Sequence, residues 1–154
     1  MKLKYCLLVL AVSSFLASLI QTNFGKVDVT LERLDTNNSQ YIYYDLYKPK
    51  SATSENKAPF IAIIPGFQRS KEALSNIAIE LSRRGYVVGL IDPYAQGLSS
   101  SSLSRRAATT EGYGMFALID HIYESDQYDY INKQFLGTTG HSMGGNAAIR
   151  GANY

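Results

Sequence analysis

The sequence predicts an α/β chain whose sheet is mostly parallel and opens with an antiparallel hairpin. Three observations carry that expectation. Two short, continuous apolar runs, "FIAIIPG" and "YVVGLID", suit strands buried on both faces, as strands of a parallel sheet are. Ahead of them stand two β-like segments separated by a polar turn. Behind them, "TTGHSMGGNAAIR" marks a sharp passage from strand to helix.

The chain begins "MKLKYCLLVLAVSSFLASLIQTNFG". Lys2 and Lys4 form a positive flank, and residues 5–20 are apolar apart from small serines, the pattern of a secretory signal or signal anchor. The run approaches the roughly 17–25 residues that a bilayer span needs. Phe15, Leu16 and Leu19 interrupt Ala17 and Ser18, so a small-residue cleavage site is hard to place. Residues 1–25 are expected to be a signal peptide or signal anchor, and residues 26–154 an exported domain. Cys6 is the one cysteine and lies inside this run, which excludes an internal disulfide from the rest.

"KVDVTLERL" alternates Val27, Val29 and Leu31 against Asp28, Thr30 and Glu32, a half-buried strand with the apolar set inward. "DTNNSQ" is a turn, and "YIYYDLYKP" is the second hairpin strand. After a polar loop comes the first buried strand, Phe60 to Gly66. "SKEALSNIAIELSRRG" places Leu74, Ile77, Ala78 and Leu81 on one helical face. Ser70 is the expected N-cap, Arg83 and Arg84 suit the C-terminal dipole, and Gly85 suits the position after the helix. "YVVGLID" is the next strand, followed by a long polar loop with the serine run 99–102. "MFALIDHIY" is helical through Met115, Leu118, Ile119 and Ile122, with Gly112 and Gly114 weakening its start. "QFLGTTGH" is the last strand, and a helix begins at Met143.

With 45% hydrophobic and 18% charged residues, the chain is too apolar for disorder. A net charge of +2 without a basic stripe gives no reason to expect nucleic acid. Two histidines and one cysteine make a dedicated metal site unexpected.

Gly140-His141-Ser142-Met143-Gly144 places a serine at the turn between a buried strand and a helix. That position lifts its hydroxyl above the carboxyl end of the sheet, beside free N–H groups of the helix N-terminus. The turn needs neighbours without side chains, which explains Gly140 and Gly144. The pattern is the G-x-S-x-G nucleophile elbow in its strand-to-helix context. Acyl transfer also needs two N–H groups aimed at a developing oxyanion. "IIPGFQRS" ends the first buried strand, and the backbone N–H groups of Phe67 and Met143 are the natural pair, with Gln68 as a substitute for Phe67.

On these residues the stretch from Phe60 to Tyr154 resembles the first half of an α/β-hydrolase core. "PGF" resembles the oxyanion loop, "GYVVGLIDPYAQGLS" the following strand and its Asp-x-x-Gly-x-Gly-x-Ser loop with Ala95 in place of the first glycine, and "GTTGHSMGGNAAI" the elbow. The pairing is most similar to the dienelactone-hydrolase-like and cutinase or polyester-hydrolase branches. The resemblance implies Ser142 as nucleophile, Phe67 and Met143 as oxyanion donors, a small-molecule or polymeric ester substrate, and no metal or organic cofactor. It also implies an acid and a histidine after the nucleophile, whereas the sequence ends at Tyr154, still inside the elbow helix. His141, adjacent to Ser142, points elsewhere and is expected to pack on the sheet or bond the backbone. His121 lies on the helix before the last strand, away from the crevice, and Asp92 is expected to shape its loop. The expectation is therefore a fragment of a longer serine hydrolase, inactive by itself and ending on an unpaired strand edge. The alternative is a non-catalytic, membrane-tethered binding module on the same fold.

Overall fold

The computed structural model describes residues 2–36, 39–101 and 110–152. The centre of the hairpin turn (37–38), the end of the serine-rich loop (102–109) and Tyr154 lie outside the described residues. Helix α1 (Lys2–Gln21) leads into strands β1 (Val27–Thr36), β2 (Gln40–Pro49) and β3 (Ala58–Ile64). Helix α2 (Ser75–Arg83), strand β4 (Val87–Ile91), helix α3 (Met115–Glu124), strand β5 (Ile131–Gly140) and helix α4 (Met143–Gly151) follow.

The five strands form one sheet in the order β1-β2-β4-β3-β5. β1–β2 and β2–β4 are antiparallel, while β3 pairs in parallel with both β4 and β5. This is the mixed sheet that the sequence predicts. Among the described residues β5 has β3 as its one hydrogen-bonded neighbour.

Side chains alternate across the sheet with period two. Phe60, Ala62 and Ile64 of β3 join Val87 and Ile91 of β4 against Met115, Leu118 and Ile122 of α3 and Ala147 and Ala148 of α4. Ile61 and Ile63 of β3 join Val88 and Leu90 against Ala78 of α2 on the opposite face. Helices thus cover both faces of β3 and β4, the reason those strands read as unbroken apolar runs.

Four expectations change. Val29 and Leu31 are 38% and 54% exposed, and only Val27 of that set is buried. β1 is an edge strand, and the cluster under α2 reaches no further along it than Val27. Ile77 is likewise exposed, and Ile79 packs in its place. The helical run after β3 splits into a 3-10 turn (Lys71–Leu74) and α2, and Ser70 makes no side-chain cap bond there. β5 starts at Ile131, earlier than the apolar run suggests, because Ala58 pairs with Ile131 across a bulge. The end of α2 follows expectation: Gly85 N–H donates to Ser82 O and Tyr86 N–H to Leu81 O, closing a Schellman turn.

Helix α1 stands apart from this core. Leu3–Gln21 is long and apolar enough to cross a membrane, with mean hydropathy 2.1 and no residue buried. An N-terminal signal sequence has the same properties.

Candidate active site

β3 and β5 end level with each other, Ile64 pairing with Gly140. His141 N–H extends the ladder by donating to Ile64 O at 3.2 Å, and the chain then turns at once into α4. Ser142 takes the whole turn, with φ 54° and ψ −116°. A non-glycine residue there is strained, and such strain concentrates where surrounding structure enforces it. The enforcement is visible in the backbone. A Cβ on Gly140 would come within 2.5 Å of the Gly144 carbonyl group and 2.7 Å of Ile64 O. One on Gly144 would collide with the carbonyl oxygens of Ile64 and Pro65. Backbone atoms cannot swing aside, so both positions require glycine.

Ser142 is exposed at the N-terminus of α4. The loop after β3 lies against it: a Cβ on Gly66 would stand 3.3 Å from Ser142 Cβ and 3.1 Å from His141 Nδ1. The structure therefore brings Gly66, the residue before Phe67, against His141 and Ser142. Among the described residues, neither the Phe67 nor the Met143 N–H has an acceptor. The Gln68 N–H is also free, on a residue with φ 56°. The Phe67 side chain is 69% exposed beside a cleft of about 450 Å³ lined by residues 67–70 and 95–97.

Two ties hold that loop to the end of β4. Asp92 is fully buried, its Oδ1 accepting from Lys71 N–H at 2.7 Å and its Oδ2 from Leu98 N–H at 3.0 Å. Gln96 Oε1 accepts from Arg69 N–H at 3.2 Å. Asp92 thus shapes its loop, as Pro93 and the pattern of the resembled loop imply. Ala95 adopts φ 61°, which accounts for the glycine its position carries in the resembled loop.

Lys71, unremarked in the sequence, is the hub beneath these ties. It is 5% exposed, with Nζ 2.8 Å from Glu72 and 3.7 Å from both Asp45 and Asp92. Burial works to lower its pKa, but the Glu72 hydrogen bond and the Asp45 and Asp92 charges outweigh burial and raise it. Glu72 is pulled down to about 2 by the Lys71 hydrogen bond, then by one from Ser70. The serine run also has a use: Ser99 and Ser100 hydroxyls accept from Tyr43 and Tyr41 N–H at 2.9 Å, tying the loop to β2. Neither the lysine nor the serines carried a sequence signal beyond adjacency to the loop and to Asp92.

Neither histidine hydrogen-bonds Ser142 among the described residues. His141 is exposed and lies over Gly66 rather than packing on the sheet, because the elbow turns it off the strand end. His121 Nε2 is 3.2 Å from Tyr128 Oη, near the start of β5. Ser142 follows the other end of that ten-residue strand, about 30 Å away at strand spacing.

A family model described as PETase: PET hydrolase-like matches residues 14–154. No curated protein matches. Solved structures with the same fold include a Pyrococcus furiosus esterase, Pf2001 (TM-score 0.67, 17% identity, covering 84% of this chain and 49% of that one). The α/β hydrolase GrgF from Penicillium sp. sh18 gives TM-score 0.67 at 19% identity, covering 82% and 42%. A ferulic acid esterase from Streptomyces cinnamoneus gives 0.64 at 16%, covering 82% and 55%. The chain spans about half the length of these three structures.

Proposed function

The chain belongs to the PET hydrolase-like family, and on that premise we propose that it is the nucleophile-bearing part of an exported serine hydrolase of carboxylic esters. Ser142 attacks the ester carbonyl, and the N–H groups of Phe67 and Met143 hold the oxyanion. The observation that carries this reading is the strained Ser142 backbone, clamped between Gly140 and Gly144 with the Gly66-Phe67 loop against it. A serine hydroxyl is a weak nucleophile without an adjacent base. With neither histidine bonded to it, the base and acid are assigned to chain beyond residue 154. The half-length match to solved hydrolases supports that assignment. Helix α1 is read as a signal peptide or a retained anchor; as an anchor it leaves its N-terminus inside, since positive flanks stay on the cytoplasmic side.

The reaction follows from these parts. Attack by Ser142 Oγ forms a tetrahedral adduct, whose negative oxygen sits at the two N–H groups near the N-terminus of α4. The hydroxyl proton passes to the base and then to the departing alcohol, leaving an acyl-serine that water hydrolyses.

The test is hydrolysis of a nitrophenyl ester by the protein extended to its natural end, beside the 154-residue chain. The extended protein should turn over, and Ser142→Ala should lower kcat on the order of 10⁶-fold. The 154-residue chain should show only residual activity. Ordinary turnover that survives Ser142→Ala would refute the nucleophile assignment. Ordinary turnover by the short chain, lost in Ser142→Ala, would refute the external base and favour His141.

A further inference from the structure

A second pocket, of about 270 Å³, lies where α1 meets the body of the protein. Lys26, Lys50 and Arg83 contribute to its lining together with Asn23 and Ser82, and no carboxylate does. Ser82, in the last turn of α2, is 1% exposed, and its Oγ has no hydrogen-bond partner. A buried hydroxyl left unpaired costs free energy, so an acceptor entering the pocket would be favoured.

The location indicates which acceptor. Arg83 Nη2 donates to Ile20 O at 2.9 Å, which pins the pocket to the end of the apolar helix. Leu3–Gln21 spans 19 residues, about 28 Å at helical rise, close to the ~30 Å hydrocarbon thickness of a bilayer. With α1 in a membrane, the pocket stands at headgroup depth. Two of its cations have rim partners: Lys50 lies 3.7 Å from Asp28, and Arg83 3.7 Å from Glu80. Such partly exposed pairs are worth little and yield to a better anion. Lys26 has no ion pair among the described residues.

We propose that this pocket binds the phosphate of an anionic phospholipid headgroup, with Ser82 donating its hydroxyl and Lys26, Lys50 and Arg83 supplying the charge. The site would fix the sheet's orientation over the bilayer from which α1 emerges. The inference rests on reading α1 as a retained anchor.

The test uses the full chain in a neutral detergent, titrated with short-chain phosphatidylglycerol, with phosphatidylcholine of equal chain length, and with inorganic phosphate. Tm is the readout. Phosphatidylglycerol should raise Tm saturably, phosphatidylcholine should not, and inorganic phosphate should act only at much higher concentration. Lys26→Gln and Lys50→Gln should each weaken the phosphatidylglycerol response about fivefold, as expected for one basic side chain near an anionic surface. Ser82→Ala should leave the lipid-free Tm unchanged or higher, yet weaken the response; a serine that takes no part in binding would leave the response as it is. Equal shifts with both lipids, or a Ser82→Ala response like that of the parent, would overturn the proposal. Inorganic phosphate matching phosphatidylglycerol would overturn the lipid assignment. Cell fractionation reads the anchor separately: a soluble product cleaved after α1 would refute the anchor and the lipid assignment with it, while leaving the Ser142 reading intact.

Discussion

At the carboxyl ends of β3 and β5, Ser142 is held by backbone, whereas near the start of β5, His121 is held by side chains. The serine's turn is enforced by Gly140 and Gly144 against the carbonyl groups of Ile64 and Pro65. His121 instead ends a chain of hydrogen bonds drawn from four elements. Tyr44 Oη donates to Glu32 Oε2 at 2.6 Å, and Tyr128 Oη lies 2.9 Å from Tyr44 Oη and 3.1 Å from the same carboxylate oxygen. Burial raises both phenol pKa values, that of Tyr128 to about 12, so both stay protonated as donors to Glu32. The difference separates position from supply. Among the described residues, the histidine beside the strained serine makes no side-chain hydrogen bond to it, and the hydrogen-bonded histidine stands at the other end of the strand.

Substitutions at the two ends should behave accordingly. Gly144→Ala should have the largest effect, about 3 kcal/mol of stability, at the upper end of the cost of overpacking. Denaturant melts would read it, and a variant as stable as the parent would break the account of the elbow. Tyr44→Phe should cost about 2 kcal/mol, the range for a hydrogen bond to a charged group, while leaving Ser142 chemistry unchanged. A parallel loss of ester hydrolysis would show that the two ends are coupled. Ser142→Gly should raise stability by about 1 kcal/mol, because glycine releases the strain at φ 54°, and should abolish activity. The smallest effect concerns acid. Glu72 has a pKa lowered from 4.5 to about 2, so its contribution is present above about 4.5 and is lost as pH falls toward 2. Glu72→Gln should therefore flatten the stability profile in that window, read by melts across pH.

The contrast also explains what could be read from the chain before its structure. The elbow lies within Gly140 to Gly144, so its geometry is written in adjacent residues. β3 and β4 were legible for a similar reason: burial on both faces leaves continuous apolar runs. The Glu32–Tyr44–Tyr128 network joins positions 12, 84 and 96 apart, and only the strand register brings them together. Lys71 is hidden in the same way, since Asp45 and Asp92 reach it from β2 and the end of β4. Val29 and Leu31 misled because alternation marks two faces without saying which one a helix will cover.

On the proposed reading, the backbone at Gly140–Gly144 presents Ser142 as the nucleophile. Labelling the longer protein proposed above with a fluorophosphonate, followed by tryptic peptide mapping, reads out the reacting residue. One adduct is expected, on Ser142 in the peptide from Gln134 to Arg150, and none in Ser142→Ala. An ester-hydrolysing protein labelled at another residue, or labelled unchanged in Ser142→Ala, would contradict it.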